Sequence, residues 1–259
     1  MKRIIFSLLF DSGNFILSRN FRRQRIGNIS WLMDNYAFQA VSFGVDEILI
    51  LNISSTDEFD ASFLEALRRI SCSCLIPITA GGRVTGPRDC ERLFQNGADK
   101  IFLNRLLFVD PPTCRDISTI FGSQALVAGL NFSHSKSGFR LHFANGAICH
   151  EDEIGAHIKR IEDGGAGELV MQSVDRDGTS IGLDLDVIRV IPPLLQLPIV
   201  LMGGVGKAEH VLQGLRHPKI DGVATANLLN FIGNSLIETR DKAIDAGLDI
   251  PVFDLSIEL

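Results

Sequence analysis

Pro198-Ile199-Val200-Leu201-Met202-Gly203-Gly204 is a short apolar run ending in a glycine pair, and the chain carries the device twice. The other copy is Pro77-Ile78-Thr79-Ala80-Gly81-Gly82. A second apolar run follows each after about 20 residues, Lys100–Leu103 in one case and Asp221–Thr225 in the other. A strand that ends in Gly-Gly lets backbone N–H groups approach a phosphate, and a helix opening behind it favours an anion. Two such ends at matching positions point to a barrel holding a ligand with a phosphate at each end.

Working outward, further apolar runs extend the pattern: Ile4–Leu9, Glu47–Asn52, Ile76–Ala80, Ala125–Asn131, Glu168–Ser173 and Gly222–Thr225. They are near-continuous rather than alternating, as in parallel strands buried on both faces. Stretches of helical spacing lie between them: Ile29–Ser42, Ser62–Ser71, Gly86–Gln95, Glu151–Gly164 and Lys207–Arg216. Eight strands alternating with helices in 259 residues predict an α/β fold, a (β/α)8 TIM barrel over residues 1–259 as one domain. The halves also match each other. Phe43–Leu49 parallels Gly164–Val170 at a shift of about 121 residues, and Arg3–Leu9 parallels Ala125–Asn131 at a similar one. Each repeat would be a half-barrel. The longest loops expected are Phe10–Asn28 and Phe132–Cys149, both on the C-terminal face where barrel active sites lie.

An apolar fraction of 46% with 22% charged residues describes a chain with ample core material. Its net charge of −6 argues against non-specific nucleic-acid binding. The five cysteines include no C-x-x-C pair, which argues against disulfides or zinc and for a reducing cytoplasm. The start, Met1–Arg3 followed by Ile4–Phe10, reads as a buried strand rather than a signal peptide, because Asp11 closes a short apolar run. No run reaches the roughly 20 apolar residues of a membrane helix. No metal or cofactor is expected.

The second phosphate end consists of Gly203-Gly204-Val205-Gly206-Lys207, with Asp177-Gly178-Thr179 and Ala226-Asn227 as further donors. The first uses Gly81-Gly82 with Asn104 and Arg105, and departs from a glycine triplet at Arg83. Both glycine pairs are also compatible with plain tight turns. The cluster Asp175-Arg176-Asp177-Gly178 fits either acid–base chemistry or a turn. Of six histidines, His134 is placed to act in catalysis, while His157 and His210 fall in helical segments as surface residues. Arg3, Glu47, Lys100 and Glu168 each stand at a strand start and would gather at the N-terminal mouth, where two cations and two anions can pair. The general role of that end is stability.

These residues resemble a family. Arg3-Ile4-Ile5, Gly44-Val45-Asp46-Glu47, Gly97-Ala98-Asp99-Lys100, Phe121–Ala125, Gly165-Ala166-Gly167-Glu168, Asp175–Thr179 and Gly203-Gly204 together are similar to the cyclase subunit of imidazole glycerol phosphate synthase, a barrel of the ribulose-phosphate-binding type. The resemblance implies a separate glutaminase subunit docked at the N-terminal face, with Arg3, Glu47, Lys100 and Glu168 as an ammonia gate and Asp99 and Gln124 at the interface. It also implies catalytic aspartates at the ends of strands one and five. Here those positions hold Leu9 and Asn131, neither of which transfers a proton near neutrality. The family's Asp after strand two is Asn52, and Arg83 and Arg105 stand where small residues are usual, which strengthens the Gly204 end over the Gly82 end.

An intact bottom with an altered top resembles a divergent branch associated with surface-polysaccharide genes. Such a barrel conducts ammonia toward a separate sugar amidotransferase that turns an acetamido sugar into an acetamidino sugar in lipopolysaccharide or O-antigen synthesis. The basic stretch Ser18–Arg25 would then face a phosphorylated or nucleotide-sugar ligand. Two other readings fit the same residues. One is a true cyclase in which Asp11, Asp175 or Asp177 takes over the missing roles, and the other is a non-catalytic scaffold for a phosphate ligand.

Overall fold

Eight parallel strands close on themselves in the computed structural model. The structure describes residues 1–252 except 37, 42, 55–60, 137, 144–147, 151–152 and 227–234, and describes no side chains at 39, 40 and 148–150. In chain order, β1 (Arg3–Asp11), β2 (Asn14–Arg19) and β3 (Arg22–Gly27) are followed by α1 (Ile29–Asn35) and α2 (Phe38–Val41). Next come β4 (Glu47–Asn52), α3 (Ala61–Ser71), β5 (Ile78–Gly81), α4 (Pro87–Gln95), β6 (Lys100–Leu103), α5 (Arg105–Val109) and α6 (Pro111–Phe121). The second half holds β7 (Leu126–Ser135), β8 (Gly138–Phe143), β9 (Ile148–His150), α7 (Ile154–Asp163) and β10 (Glu168–Ser173). It ends with β11 (Ile199–Met202), α8 (Ala208–Leu215), β12 (Gly222–Thr225) and α9 (Ser235–Asp245).

Strands β10, β11, β12, β1, β4, β5, β6 and β7 pair side by side in that order, and β10 returns to β7 with Glu168 opposite Val127. The expected TIM barrel is therefore present. The half-barrel repeat is present too: β4 and β10, and likewise β5 and β11, begin and end at residues 121 apart.

Two expected loops are strands instead. After β1, the antiparallel β2 and β3 extend the sheet, and after β7, β8 and β9 do the same. The first hairpin turns at Ser12-Gly13 (φ 48° and 83°) and again at Asn20-Phe21 (φ 49° and 63°). Left-handed conformation at both central residues gives the twist that a two-residue hairpin needs. The single helix expected over Ile29–Ser42 is split, because Tyr36 is extended (φ −114°, ψ 112°) between α1 and α2. The helix expected from Glu151 begins at Ile154.

Inward and outward residues alternate along each barrel strand. On β1, Ile4, Phe6, Leu8 and Phe10 join the outer layer beneath the helices, while Ile5 joins the bore. The bore layer comprises Ile5, Leu49, Leu51, Phe102, Val127, Val170, Val200, Met202 and Ala224. Each of these side chains larger than alanine contributes about 1.5–3 kcal/mol when fully buried. Phe102 is the aromatic member, and both adjoining strands give it room through Gly81 and Gly129. A Cβ at either glycine would run into Phe102. Among the described residues, no helix is long and apolar enough to cross a membrane.

Gly129→Ala should therefore overpack the bore and destabilise the fold by about 1–3 kcal/mol. Urea unfolding will measure it, and adding Phe102→Leu should recover most of the loss. An unchanged midpoint in Gly129→Ala would show that the ring is free to move aside.

Candidate functional site: the two mouths of the barrel

At the N-terminal mouth the four expected charges meet in a closed ring. Arg3 Nη1 donates to Glu47 Oε2 at 3.1 Å, and Arg3 Nη2 pairs with Glu168 Oε1. Lys100 Nζ completes the ring at 2.9 Å from Glu47 Oε2 and 3.0 Å from Glu168 Oε2. Thr79 Oγ1 donates to the other Glu47 oxygen. Burial alone would lower the Arg3 and Lys100 pKa values, but hydrogen bonding and charge from Glu168 raise the first, and the charges of Glu47 and Glu168 raise the second. Burial alone would lift Glu168, yet its hydrogen bond and charge pairing with Arg3, then with Lys100, bring it below the usual 4.5. Arg3, Lys100 and Glu168 are thus held charged.

A repeated device fixes the strands around this ring. Asp46, Asp99 and Asp221 each stand one residue before a strand, and each carboxylate accepts the N–H of the neighbouring strand: Ile4 at 2.8 Å, Ile78 at 2.8 Å and Ile199 at 2.9 Å. Their own N–H groups donate back to the carbonyls of the same three residues. Before β10 the position is Gly167, whose N–H donates to Leu126 O, and a Cβ there would run into Ser123 O. The aspartate before three of the four even barrel strands was the sequence signal for this bracket. Asp99 and Gln124 are both exposed on this face, but one oxygen of Asp99 serves β5. Leu75 and Leu194, in the segments entering β5 and β11, are 88% and 85% exposed.

Above the apolar bore, a cavity of about 520 Å³ opens at the C-terminal mouth. Leu9 and Asn131 line it from opposite strands, so no proton-transfer group stands at either position. Gly82, Asn104 and Arg105 line it as well, together with Arg83, Arg23 and Phe21. Its one carboxylate among the described lining residues is Asp110, which accepts from Thr113 N and Oγ1 as the cap of α6. Gly204, Asp177, Gly178 and Ala226 line a separate, smaller pocket of about 40 Å³. Asn227 lies outside the described residues. The room is thus at the Gly82 end, although the sequence favours the Gly204 end.

The two glycine ends also align differently from their letters. The shift of 121 that relates β5 to β11 pairs Gly82 with Gly203 and Arg83 with Gly204. Backbone conformation agrees: φ is 90° and 64° at Gly82 and Arg83, against 100° and 92° at Gly203 and Gly204. An arginine therefore occupies a left-handed position that glycine fills in the other half. On the Gly204 side, His210 is half-buried, and its Nδ1 accepts the Gly206 N–H at 3.2 Å.

The candidate carboxylates are engaged in architecture. Asp11 pairs with Arg23 at 2.9 Å. Asp175 accepts the His134 N–H at 2.6 Å. Asp177 is buried and accepts from Ser18 Oγ at 2.5 Å, Phe21 N at 3.1 Å and Gln172 Nε2 at 3.4 Å. None of these three lines the large cavity. His134 Nε2 lies 2.8 Å from the buried Asp184, which ties the second hairpin to the loop after β10. His157 is 1% exposed and packs against Phe108 and Phe143, so it belongs to the core and not to the surface. Burial pushes the Cys90 and Cys114 thiols up to about 12, far from a nucleophilic thiolate.

The ring makes a pH-dependent prediction. A carboxylate with a depressed folded pKa stabilises the fold above its unfolded pKa, and that stability is lost as pH falls through the folded value. Glu168→Gln leaves two cations sharing Glu47, so stability at pH 7 should fall, by less than the ~3–5 kcal/mol of a fully buried broken pair. The Glu168 share of the acid transition should vanish as well. Urea unfolding at pH 7, 5 and 3.5 tests this, and a variant loss as large at pH 3.5 as at pH 7 would contradict it.

Comparison with known proteins agrees with this geometry. The model of the family described as histidine biosynthesis protein matches residues 3–233. The protein named "Putative imidazole glycerol phosphate synthase subunit hisF2" of Parasynechococcus marenigrum is 42% identical over 242 residues, covering 93% of this chain and 90% of that one. The imidazole glycerol phosphate synthase subunit HisF of Metallosphaera sedula is 33% identical over 80% of this chain and 82% of its own, and that of Bacteroides fragilis 30% over 96% and 98%. With a family match over nearly its whole length and a barrel carrying an inherited twofold repeat, this chain belongs to the histidine biosynthesis protein family, as a divergent paralogue of the HisF subunits.

Proposed function

We propose that this barrel is the ammonia-accepting subunit of a glutamine amidotransferase complex. A glutaminase subunit docks on its N-terminal face, and ammonia enters through the ring of Arg3, Glu47, Lys100 and Glu168. The observation that carries this reading is the closed ring itself. Four inward charges around one mouth exceed what strand bracketing needs, since Asp46, Asp99 and Asp221 already do that work. Exposed Leu75 and Leu194 on the same face give a partner apolar surface to cover, beside Asp99 and Gln124.

The top of the barrel favours delivery over ring closure. Cyclisation needs proton transfers, and losing one general acid–base group typically lowers a rate by about 10²–10⁴-fold. Leu9 and Asn131 remove both family positions, while Asp11, Asp175 and Asp177 are held by Arg23, the His134 N–H and the first hairpin. The acceptor in this reading is an acetamido sugar of surface-polysaccharide synthesis, converted to an acetamidino sugar by a separate amidotransferase. That choice rests on the resemblance of the altered top to the divergent branch.

Mixing the chain with a glutaminase subunit of this family should raise glutamine hydrolysis. Following ¹⁵N from glutamine amide into the acceptor, Lys100→Ala should lower transfer per glutamine consumed at least several-fold while leaving complex formation intact. Unchanged coupling would remove the gate. Ammonia-dependent formation of the imidazole ring by the purified chain at HisF rates would establish the cyclase instead.

A further inference from the structure

One hydroxyl inside the barrel has no partner of its own. Ser7 lies on β1 between Ile5 and Leu9, both of which pack in the bore, while Phe6 and Leu8 on either side of it join the outer layer. Strand alternation therefore turns Ser7 inward. The residue is 1% exposed, and its Oγ is buried without a hydrogen-bond partner among the described residues. The Thr79 hydroxyl, on β5, is by contrast spent on Glu47 of the charged ring.

A buried hydroxyl left unsatisfied destabilises a fold, so an apolar residue of similar size would serve the packing better. Ser7 pairs in register with Leu49 of β4, two residues above the pairing of Ile5 with Glu47. The other neighbour of β1 is β12, where Gly222 stands opposite Arg3 and Ala224 opposite Ile5. Both face the bore: Ala224 belongs to its apolar layer, and a Cβ at Gly222 would meet Val200 and Ile5. The seam between β1 and β12 is thus lined by a hydrogen and a methyl where β4, β10 and β11 carry Leu49, Val170 and Val200. It starts at Arg3 of the ring and ends at Leu9, which lines both pockets of the C-terminal mouth.

A species passing along this seam must be small, and it must be uncharged, because an apolar bore offers an ion no partner. Ammonia meets both conditions, and it gives up its hydrogen bonds to water on entering. A hydroxyl matches it in both senses, donating to the nitrogen lone pair and accepting an N–H. We propose that Ser7 Oγ is the hydrogen-bonding station for ammonia between the ring and the C-terminal mouth, with Gly222 and Ala224 leaving the room to reach it. Ser7 is a positioning residue: it holds the molecule in transit and takes part in no bond change. The inference rests on the reading of the barrel as an ammonia conduit.

Ser7→Ala removes the hydroxyl and keeps the space, whereas Ser7→Val fills it. In the assembled complex of glutaminase, barrel and sugar amidotransferase, ¹⁵N is followed from glutamine amide into the acetamido-sugar acceptor. Ser7→Ala should lower transfer per glutamine consumed about 2–10-fold, the worth of one hydrogen bond. Ser7→Val should lower it further. Because no described residue bonds to the hydroxyl, the urea midpoint of Ser7→Ala should not fall, which separates lost passage from lost folding. Unchanged transfer in Ser7→Ala, or a midpoint that falls with it, would overturn the proposal. Lys100→Ala measured alongside tells the two levels apart. If it uncouples the complex and Ser7→Ala does not, the gate stands and the station is overturned. If the unaltered complex passes no ¹⁵N, the conduit reading itself falls and the station with it.

Discussion

Closure of β10 onto β7 is the constraint on which the rest of this molecule depends. A closed sheet has no edge, so every inward position on eight strands must be filled by a side chain or opened as a cavity. Taking an ion out of water costs several kcal/mol, and only close partners offset it. Inward charges are therefore confined to the ends of the bore. Arg3, Lys100, Glu47 and Glu168 meet the requirement because each cation touches both anions. Above them, Ile5, Leu49, Val127, Val170 and Val200 fill the bore with apolar side chains, and Phe102 roofs that layer as part of the cavity floor. The two mouths are chemically independent as a result.

That independence lets the ends change separately. The N-terminal ring carries two cations and two anions, while the C-terminal mouth presents Leu9 and Asn131 together with three arginines. Symmetry within the chain supplies the reference. Gly82 and Gly203 share a conformation, so the contrast between Arg83 and Gly204 is a difference of side chain on the same backbone frame.

What could be read from the sequence follows the physics of each signal. Buried parallel strands are apolar runs, so β4, β6, β10, β11 and β12 were legible to the residue. The hairpins were not, because Arg22–Arg25 is polar and looks like a loop, although Ser12-Gly13 is a two-residue turn signal. His157 was read as a surface residue of a helical segment, yet Ile154, His157, Ile158 and Ile161 fall at the spacing of one buried helix face. Matching Gly81-Gly82 to Gly203-Gly204 by letter hid the true register, which only the strand ends reveal. The ring was legible as four charges at strand starts, but its closed pairing required the barrel. The candidate acids at the top were visible as residues, and their engagement was not, since their partners lie on distant elements such as Ser18 for Asp177 and Arg23 for Asp11.

Those engagements explain why the top cannot easily regain acid–base chemistry. The loop after β10 fastens both hairpins: Asp177 holds Ser18 and Phe21, Asn20 donates to the carbonyls of Val174 and Asp175, and Asp175 with Asp184 holds His134. The first hairpin carries Phe21 and Arg23, which line the cavity. Freeing Asp177 to transfer protons would release the hairpin that shapes the site in which they would be used. Freeing Asp11 would leave Arg23 without its partner at the rim. A carboxylate donating and accepting protons needs an open side, whereas one that positions a hairpin needs its donors in place. In this chain the second demand is met at Asp11 and Asp177.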